Sequence, residues 1–198
     1  MTLSLSQAHA ELLRGQVVAV GTDTVYGLAA TLDNPEAISA IYELKGRPEG
    51  MALPILINSL EQAQELGVQL DERAESLSLL WPGALTIVVP APEALASLVH
   101  GSSSVGLRIP DHGYLLELLA LTGPLAVTSA NPHGQPPATS AEMAEQYFAN
   151  HATFAGVYGE EIGTGSASTI VDLTRDEWSI LREGGISRAV LEALLFKG

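Results

Sequence analysis

Lys45 and Arg47 stand two residues apart in "YELKGRP", in a chain of 198 residues with nine Lys and Arg against 23 Asp and Glu. Lys45 is one of two lysines; the other is Lys197. An ammonium beside a guanidinium suits phosphate, the first as a point charge and the second as a planar fork. Other polar side chains fall where short apolar runs begin or end. Thr22, Asp23 and Thr24 follow "QVVAV", Arg108 lies within "VGLRIP", and Ser129 and Asn131 leave a run in "TSAN". Ser168 opens "STIVDL", and Arg182 closes "WSILR". A guanidinium in an apolar strand must find an anion. Arg108 with Lys45, Arg47 and Arg182 therefore describes a polyanion site, the cation pair being expected at an exposed cleft edge.

Taken singly, these residues have structural alternatives. Thr22 or Thr24 could cap a turn. Lys45 and Arg47 could face the negative end of a helix dipole, and Ser129 and Asn131 could form a turn.

The elements that must position them alternate. The runs at 16–20, 53–57, 84–89, 105–109, 124–129, 168–173 and 178–182 read as short buried strands. Asn34-Pro35 opens a helix with a cap and a first-turn proline, and Ala37, Ile38, Ile41, Tyr42 and Leu44 give it an apolar face. Ser59 with Gln62 and Thr139 with Glu142 have capping-box spacing, and Ser187 is expected to cap the last helix. Strands interleaved with unevenly spread helices predict an α/β (α+β) structure with mixed strand directions. In such sheets ligands bind beyond strand ends, where loops from separate segments converge.

Composition removes several classes of function. No Cys is present, which excludes disulfides, thiolate zinc sites and thiol catalysis. Neither lysine lies in a Gly-Lys-Ser/Thr context, and "GTGSAS" at 163–168 lacks the last glycine of a dinucleotide fingerprint. The five histidines are scattered, so no protein-built metal site is expected. Asp111-His112 has no G-x-S-x-G elbow to serve. No run approaches the ~20 apolar residues of a membrane span, and no basic leader precedes a hydrophobic block. One domain over 1–198, in the cytoplasm, is the expectation. The net charge of −14 opposes nucleic acid at long range.

"GTDTVYGLAA", "YELKGRP", "WPGALTIVVP", "VGLRIPDH", "TSANPHGQPPAT", "STIVDL" and "LREGG" follow one another in the order and spacing of the YrdC-like domain family, which this chain resembles from about residue 5 to 190. The resemblance implies a twisted, largely mixed sheet flanked by helices, with a large concave cleft. It also implies synthesis of threonylcarbamoyl-adenylate and pyrophosphate from ATP, L-threonine and bicarbonate. Thr22, Thr24, Arg108, Ser129 and Ser168 would then hold threonine. Lys45 and Arg47 would act on the phosphates as catalytic residues, with Ser104, Asn131, Thr139 and Arg182 as further nucleotide contacts. Mg²⁺ would arrive with ATP, and the product would pass to a transferase complex that modifies tRNA. The chain departs from many members at Met51 and Ala52, where a polar residue is common, and its next strand lacks the histidine some relatives carry. Longer relatives have a further C-terminal domain joined by a linker, whose closing role would be lacking or otherwise filled.

Two other functions fit the same resemblance. One is a double-stranded RNA-binding module, against which nine cations weigh. The other is a YrdC-like paralogue with a different carbamoyl or nucleotide activity.

Overall fold

The computed structural model describes residues 2–46, 48, 51–101, 103–159, 163 and 165–196. Its strands are β1 (Thr2–Leu3), β2 (Val17–Val20), β3 (Gly27–Thr31), β4 (Ile55–Leu56), β5 (Leu85–Pro90), β6 (Ser104–Arg108), β7 (Leu125–Ser129), β8 (Phe154–Tyr158), β9 (Thr169–Asp172) and β10 (Ser179–Arg182). The helices are α1 (Leu5–Leu13), α2 (Pro35–Lys45), α3 (Leu60–Glu65), α4 (Glu72–Ser78), α5 (Glu93–Leu98), α6 (Gly113–Thr122), α7 (Ala141–Phe148) and α8 (Arg188–Leu195).

Among the described residues the strands form one sheet in the order β1-β8-β2-β3-β7-β4-β6-β5-β9-β10. Pairing is mixed, as expected: β2–β3, β3–β7, β4–β7, β5–β6 and β9–β10 run antiparallel, whereas β1–β8, β2–β8, β4–β6 and β5–β9 run parallel. Every predicted strand is present, although the run at 53–57 contributes only the two residues of β4.

Successive side chains of a strand point to opposite faces, and here that period sorts residues into two cores. Val17, Ala19, Leu28, Ala30, Ala126, Leu85, Ile87, Val105, Leu107 and Val171 join one cluster, roofed by residues of α2, α4 and α7. Val18, Val20, Ala29, Leu125 and Val127 join the other, covered by Ala8 and Leu12 of α1 and by Leu115, Leu118 and Leu119 of α6. No residue of β5, β6 or β9 belongs to this second cluster. On that half of the sheet the face opposite the main core is left to other side chains: Thr86 between Leu85 and Ile87, and Gly106 and Arg108 flanking Leu107.

Local chemistry sets the helix ends. Asn34 Oδ1 accepts from Ala37 N at 3.0 Å to start α2, and Gly46 ends it in the left-handed region at φ 59°. The capping box expected at Thr139 is shifted by one residue: Ser140 is the cap, and its hydroxyl accepts from Met143 N at 3.1 Å. Ser59 and Ser187 occupy cap positions but make no side-chain capping bond. Gln62 instead accepts from Asn58 N at 2.9 Å. The full capping box belongs to Ser4 and Gln7 at α1.

Candidate functional site

The cleft is built on the half-sheet that α1 and α6 leave open. It encloses about 180 Å³ and is lined by Thr22, Thr24, Thr86, Arg108, Ser168 and Arg182 on its polar side, with Pro54, Leu56, Val127 and Ile170 as an apolar wall. Pockets for drug-sized ligands run to roughly 300–1,000 Å³. The enclosed part therefore suits a small polar molecule, with room for a larger ligand only along its open mouth.

Thr22 and Thr24 sit in the β2–β3 turn, both almost fully buried. Thr22 Oγ1 donates to Val25 O at 2.7 Å and accepts from Thr24 N at 3.0 Å. Its single proton is thus spent, so the 2.9 Å contact between the two hydroxyls runs from Thr24 to Thr22. Arg108 Nη1 donates to Thr24 Oγ1 at 3.1 Å. Thr22 is saturated, and Thr24 keeps one lone pair. Thr22 positions; Thr24 is left to accept from a ligand.

Arg108, at the C-terminal end of β6, is 6% exposed. Nε donates to Gly83 O at 2.9 Å, and Nη2 pairs with Asp23 Oδ1 at 2.5 Å. Burial pulls its pKa down, and the Asp23 charge and hydrogen bond push it back up. Three of its five N–H groups have protein acceptors here; the others remain for a ligand anion. Arg182 crosses from β10, with Nε donating to Ser168 O at 3.0 Å and Nη2 to Ser168 Oγ at 2.9 Å. Burial and then repulsion from Arg108 lower its pKa. The two guanidiniums share one cavity.

Lys45 is 5% exposed, which corrects the expectation of an exposed cation. At the last turn of α2 its ammonium donates to Ser129 O, to Asn131 O at 2.8 Å and to Asn131 Oδ1 at 3.1 Å. The reason is packing: the loop after β7 folds back onto the end of α2, where His133 N donates to Lys45 O at 2.6 Å. Ser129 Oγ donates to the same Asn131 Oδ1 at 2.7 Å, and Asn131 Nδ2 donates to Pro132 O and Gln135 O. Lys45, Ser129 and Asn131 thus form one cluster, joined to the cavity through Ser129.

Thr22, Thr24, Arg108, Ser129, Ser168 and Arg182 come together in the cavity lining. Ser104 does not. It shares the Arg108 face of β6 but stands four residues away, about 13 Å along a strand. Thr139 is exposed beside the start of α7, tied in by Ala138 N donating to Ala130 O at 2.9 Å. Arg47 lies outside the described residues. Among the described residues no group of three or more His, Cys, Asp and Glu could hold a metal, and no helix is long and apolar enough to cross a membrane.

Sequence reasoning missed Asp23 as the counter-ion and Thr86 as a wall residue. Thr86 had a signal: a lone hydroxyl at the outward position of an apolar strand. Asp23 had none beyond lying between two threonines. It also missed a close approach: a Cβ on Gly163 would lie 1.8 Å from Asp23 O. The amides of Gly163 and Gly165 donate to Thr22 O and Thr24 O, at 3.0 and 2.9 Å.

Residues 10–184 match the Sua5/YciO/YrdC family model, which carries the description "Telomere recombination". The chain is 38% identical over 196 residues to threonylcarbamoyl-AMP synthase of Bacillus subtilis, covering 96% of this chain and 56% of that one. It thus spans just over half the length of that relative. It is 35% identical over 184 residues to the Pseudomonas entomophila threonylcarbamoyl-AMP synthase, covering 91% of this chain and 97% of that protein. The crystal structure of Pyrococcus abyssi Sua5 complexed with L-threonine superposes with a TM-score of 0.90 at 33% identity, over 100% of this chain and 60% of that one.

Proposed function

The chain belongs to the Sua5/YciO/YrdC family, and from that premise we propose that it is an L-threonylcarbamoyladenylate synthase, a nucleotidyltransferase acting on ATP, L-threonine and bicarbonate. The observation that carries this reading is the convergence of Thr24, Arg108, Ser168 and Arg182, from four separated segments, on a cavity sized for a small amino acid. The threonine-bound state of a relative with the same fold supports it.

The reaction needs little from protein nucleophiles. The threonine amine adds to bicarbonate carbon; water leaves, and an N-carboxylate forms. A carboxylate oxygen then attacks the ATP α-phosphorus, the bond to the β-phosphate bridging oxygen breaks, and pyrophosphate departs. Positioning and charge neutralisation supply the acceleration. Arg108 takes the amino-acid carboxylate on its remaining N–H groups, and Thr24 Oγ1 accepts an N–H. Arg182 neutralises charge gathering on the phosphates, Lys45 adds positive charge from the Ser129–Asn131 cluster, and Arg47 is assigned to the phosphates from its place in "YELKGRP". Lys45 also holds the Ser129–Asn131 loop that forms the cavity edge. Ser104 and Thr139 lie outside the cavity lining and are assigned to the nucleoside from the family motifs alone. Mg²⁺ would enter with ATP as part of the substrate. The cytoplasm is the expected compartment, and a tRNA-modifying transferase the expected recipient of the product.

Incubation of the protein with ATP, bicarbonate and each amino acid in turn, with mass identification of the adenylate, tests the reading. Product with threonine is expected. Tight, salt-sensitive RNA binding without ATP turnover would overturn it.

A further inference from the structure

Thr86 lines the cavity, is 3% exposed, and is assigned no part in the scheme above. Its strand neighbours Leu85 and Ile87 enter the main core, so the pleat turns Thr86 toward the cleft. Its hydroxyl lies 2.9 Å from Ser168 Oγ, a contact in which either oxygen could donate. Among the described residues Ser168 is the only hydrogen-bond partner recorded for that hydroxyl, whereas Ser168 Oγ also receives Arg182 Nη2 at 2.9 Å.

Buried hydroxyl protons need acceptors. If Ser168 donates to Thr86, the Thr86 proton is the one without a protein acceptor among the described residues, and Ser168 Oγ keeps a lone pair. If Thr86 donates, both lone pairs of Ser168 Oγ are filled, one by Thr86 and one by Arg182. The Ser168 proton is then the one left over, so in either arrangement the pair offers a single hydroxyl proton to the cavity.

We propose that the substrate selects the second arrangement, in which Thr86 is a positioning residue that turns the Ser168 hydroxyl toward the substrate as a donor. This rests on the proposed function and specifies one of its contacts. Ser168 gives its proton to an oxygen of the amino acid or its N-carboxylate, opposite Thr24, which accepts. The cavity thereby reads a substrate with an acceptor at one side and an N–H at the other. Arg182 is held at the same time, because its Nε and Nη2 grip Ser168 O and Oγ together.

The test is a set of variants on the full chain: Thr86→Val, which keeps the shape and deletes the hydroxyl, Thr86→Ser, Ser168→Ala, and Thr86→Val with Ser168→Ala. Loss of one oriented hydrogen bond should raise the threonine KM of Thr86→Val roughly tenfold, with kcat changed by less than about twofold. Thr86→Ser should restore wild-type values. In the Ser168→Ala background Thr86→Val should add nothing, as two residues acting through one contact require. Additive effects, or a Thr86→Ser variant as poor as Thr86→Val, would overturn the proposal. Absence of any adenylate from the wild type would refute the assigned function instead. Crystal structures of wild type and Thr86→Val then decide this point alone: a rotated Ser168 hydroxyl or displaced Arg182 in the variant supports it, and superimposable side chains refute it.

Discussion

Arg182 and Arg108 line one cavity, and after burial the positive charge of Arg108 is the cause that holds the Arg182 pKa down. Asp23 balances Arg108, whereas the acceptors recorded for Arg182 are the neutral carbonyl and hydroxyl oxygens of Ser168. Among the described residues, then, one positive charge in the cavity has no carboxylate partner, in a chain of net charge −14. An anion relieves that repulsion and should bind.

Pyrophosphate, the expected product, should stabilise the fold by linkage. At a hundredfold excess over Kd the gain is about 2.7 kcal/mol, or roughly 5–10 °C in Tm for a chain of this size. Arg182→Ala should lose more than half of that shift. Differential scanning calorimetry with and without pyrophosphate checks it, and an unchanged shift in the variant would remove Arg182 from the anion site.

Asp23→Asn leaves a buried guanidinium without its counter-charge, at side-chain exposures of 7% for Arg108 and 13% for Asp23. Breaking such a pair costs about 3–5 kcal/mol. Urea unfolding of the variant should show that loss, and the double variant with Arg108→Met should recover part of it.

Lys45→Met keeps the stem in its buried site but deprives Asn131 O of its ammonium donor, whereas Ser129 O keeps Asn131 N and Asn131 Oδ1 keeps Ser129 Oγ. Each unsatisfied buried acceptor costs about 1–3 kcal/mol. Adenylate formation should fall by orders of magnitude and stability should fall as well. Hydrogen exchange at His133 N, whose acceptor is Lys45 O, should speed up as the loop loosens. Unaltered exchange would leave Lys45 no part in holding the loop.

Gly163→Ala should displace the segment that reaches Thr22 and Thr24, since its Cβ would fall 1.8 Å from Asp23 O. Threonine affinity, measured by isothermal titration, should drop at least tenfold for this single methyl; unchanged affinity would show the approach to be dispensable.

The architecture was legible wherever residue types and period agreed. β5, β6, β7 and β9 declare themselves by apolar runs, and the polar exceptions within or beside those runs (Arg108, Ser129, Ser168) face the cleft. β3 and β8 were not legible. "GLAAT" is mostly Gly and Ala, poor strand formers, and in "FAGVY" an Ala-Gly pair interrupts Phe, Val and Tyr; both lie between neighbours on both sides, which holds them as strands. Close packing even demands the weak residue, for a Cβ on Gly27 would meet Val127 Cγ1 at 2.6 Å. Lys45 shows a different limit. Its position at a helix end is plain from sequence, but its burial depends on a loop nearly ninety residues later folding over it. The Asp23–Arg108 pair, 85 residues apart, is hidden for the same reason. Spacing in sequence announces residue types; only the sheet order makes them partners.

The most direct measurement is a crystal structure with L-threonine and a non-hydrolysable ATP analogue. Threonine should lie in the enclosed cavity with its carboxylate on Arg108 and an N–H on Thr24, and the phosphates should lie toward Arg182 and Lys45. Threonine bound elsewhere, or phosphates on a surface that none of these cations touches, would contradict the account.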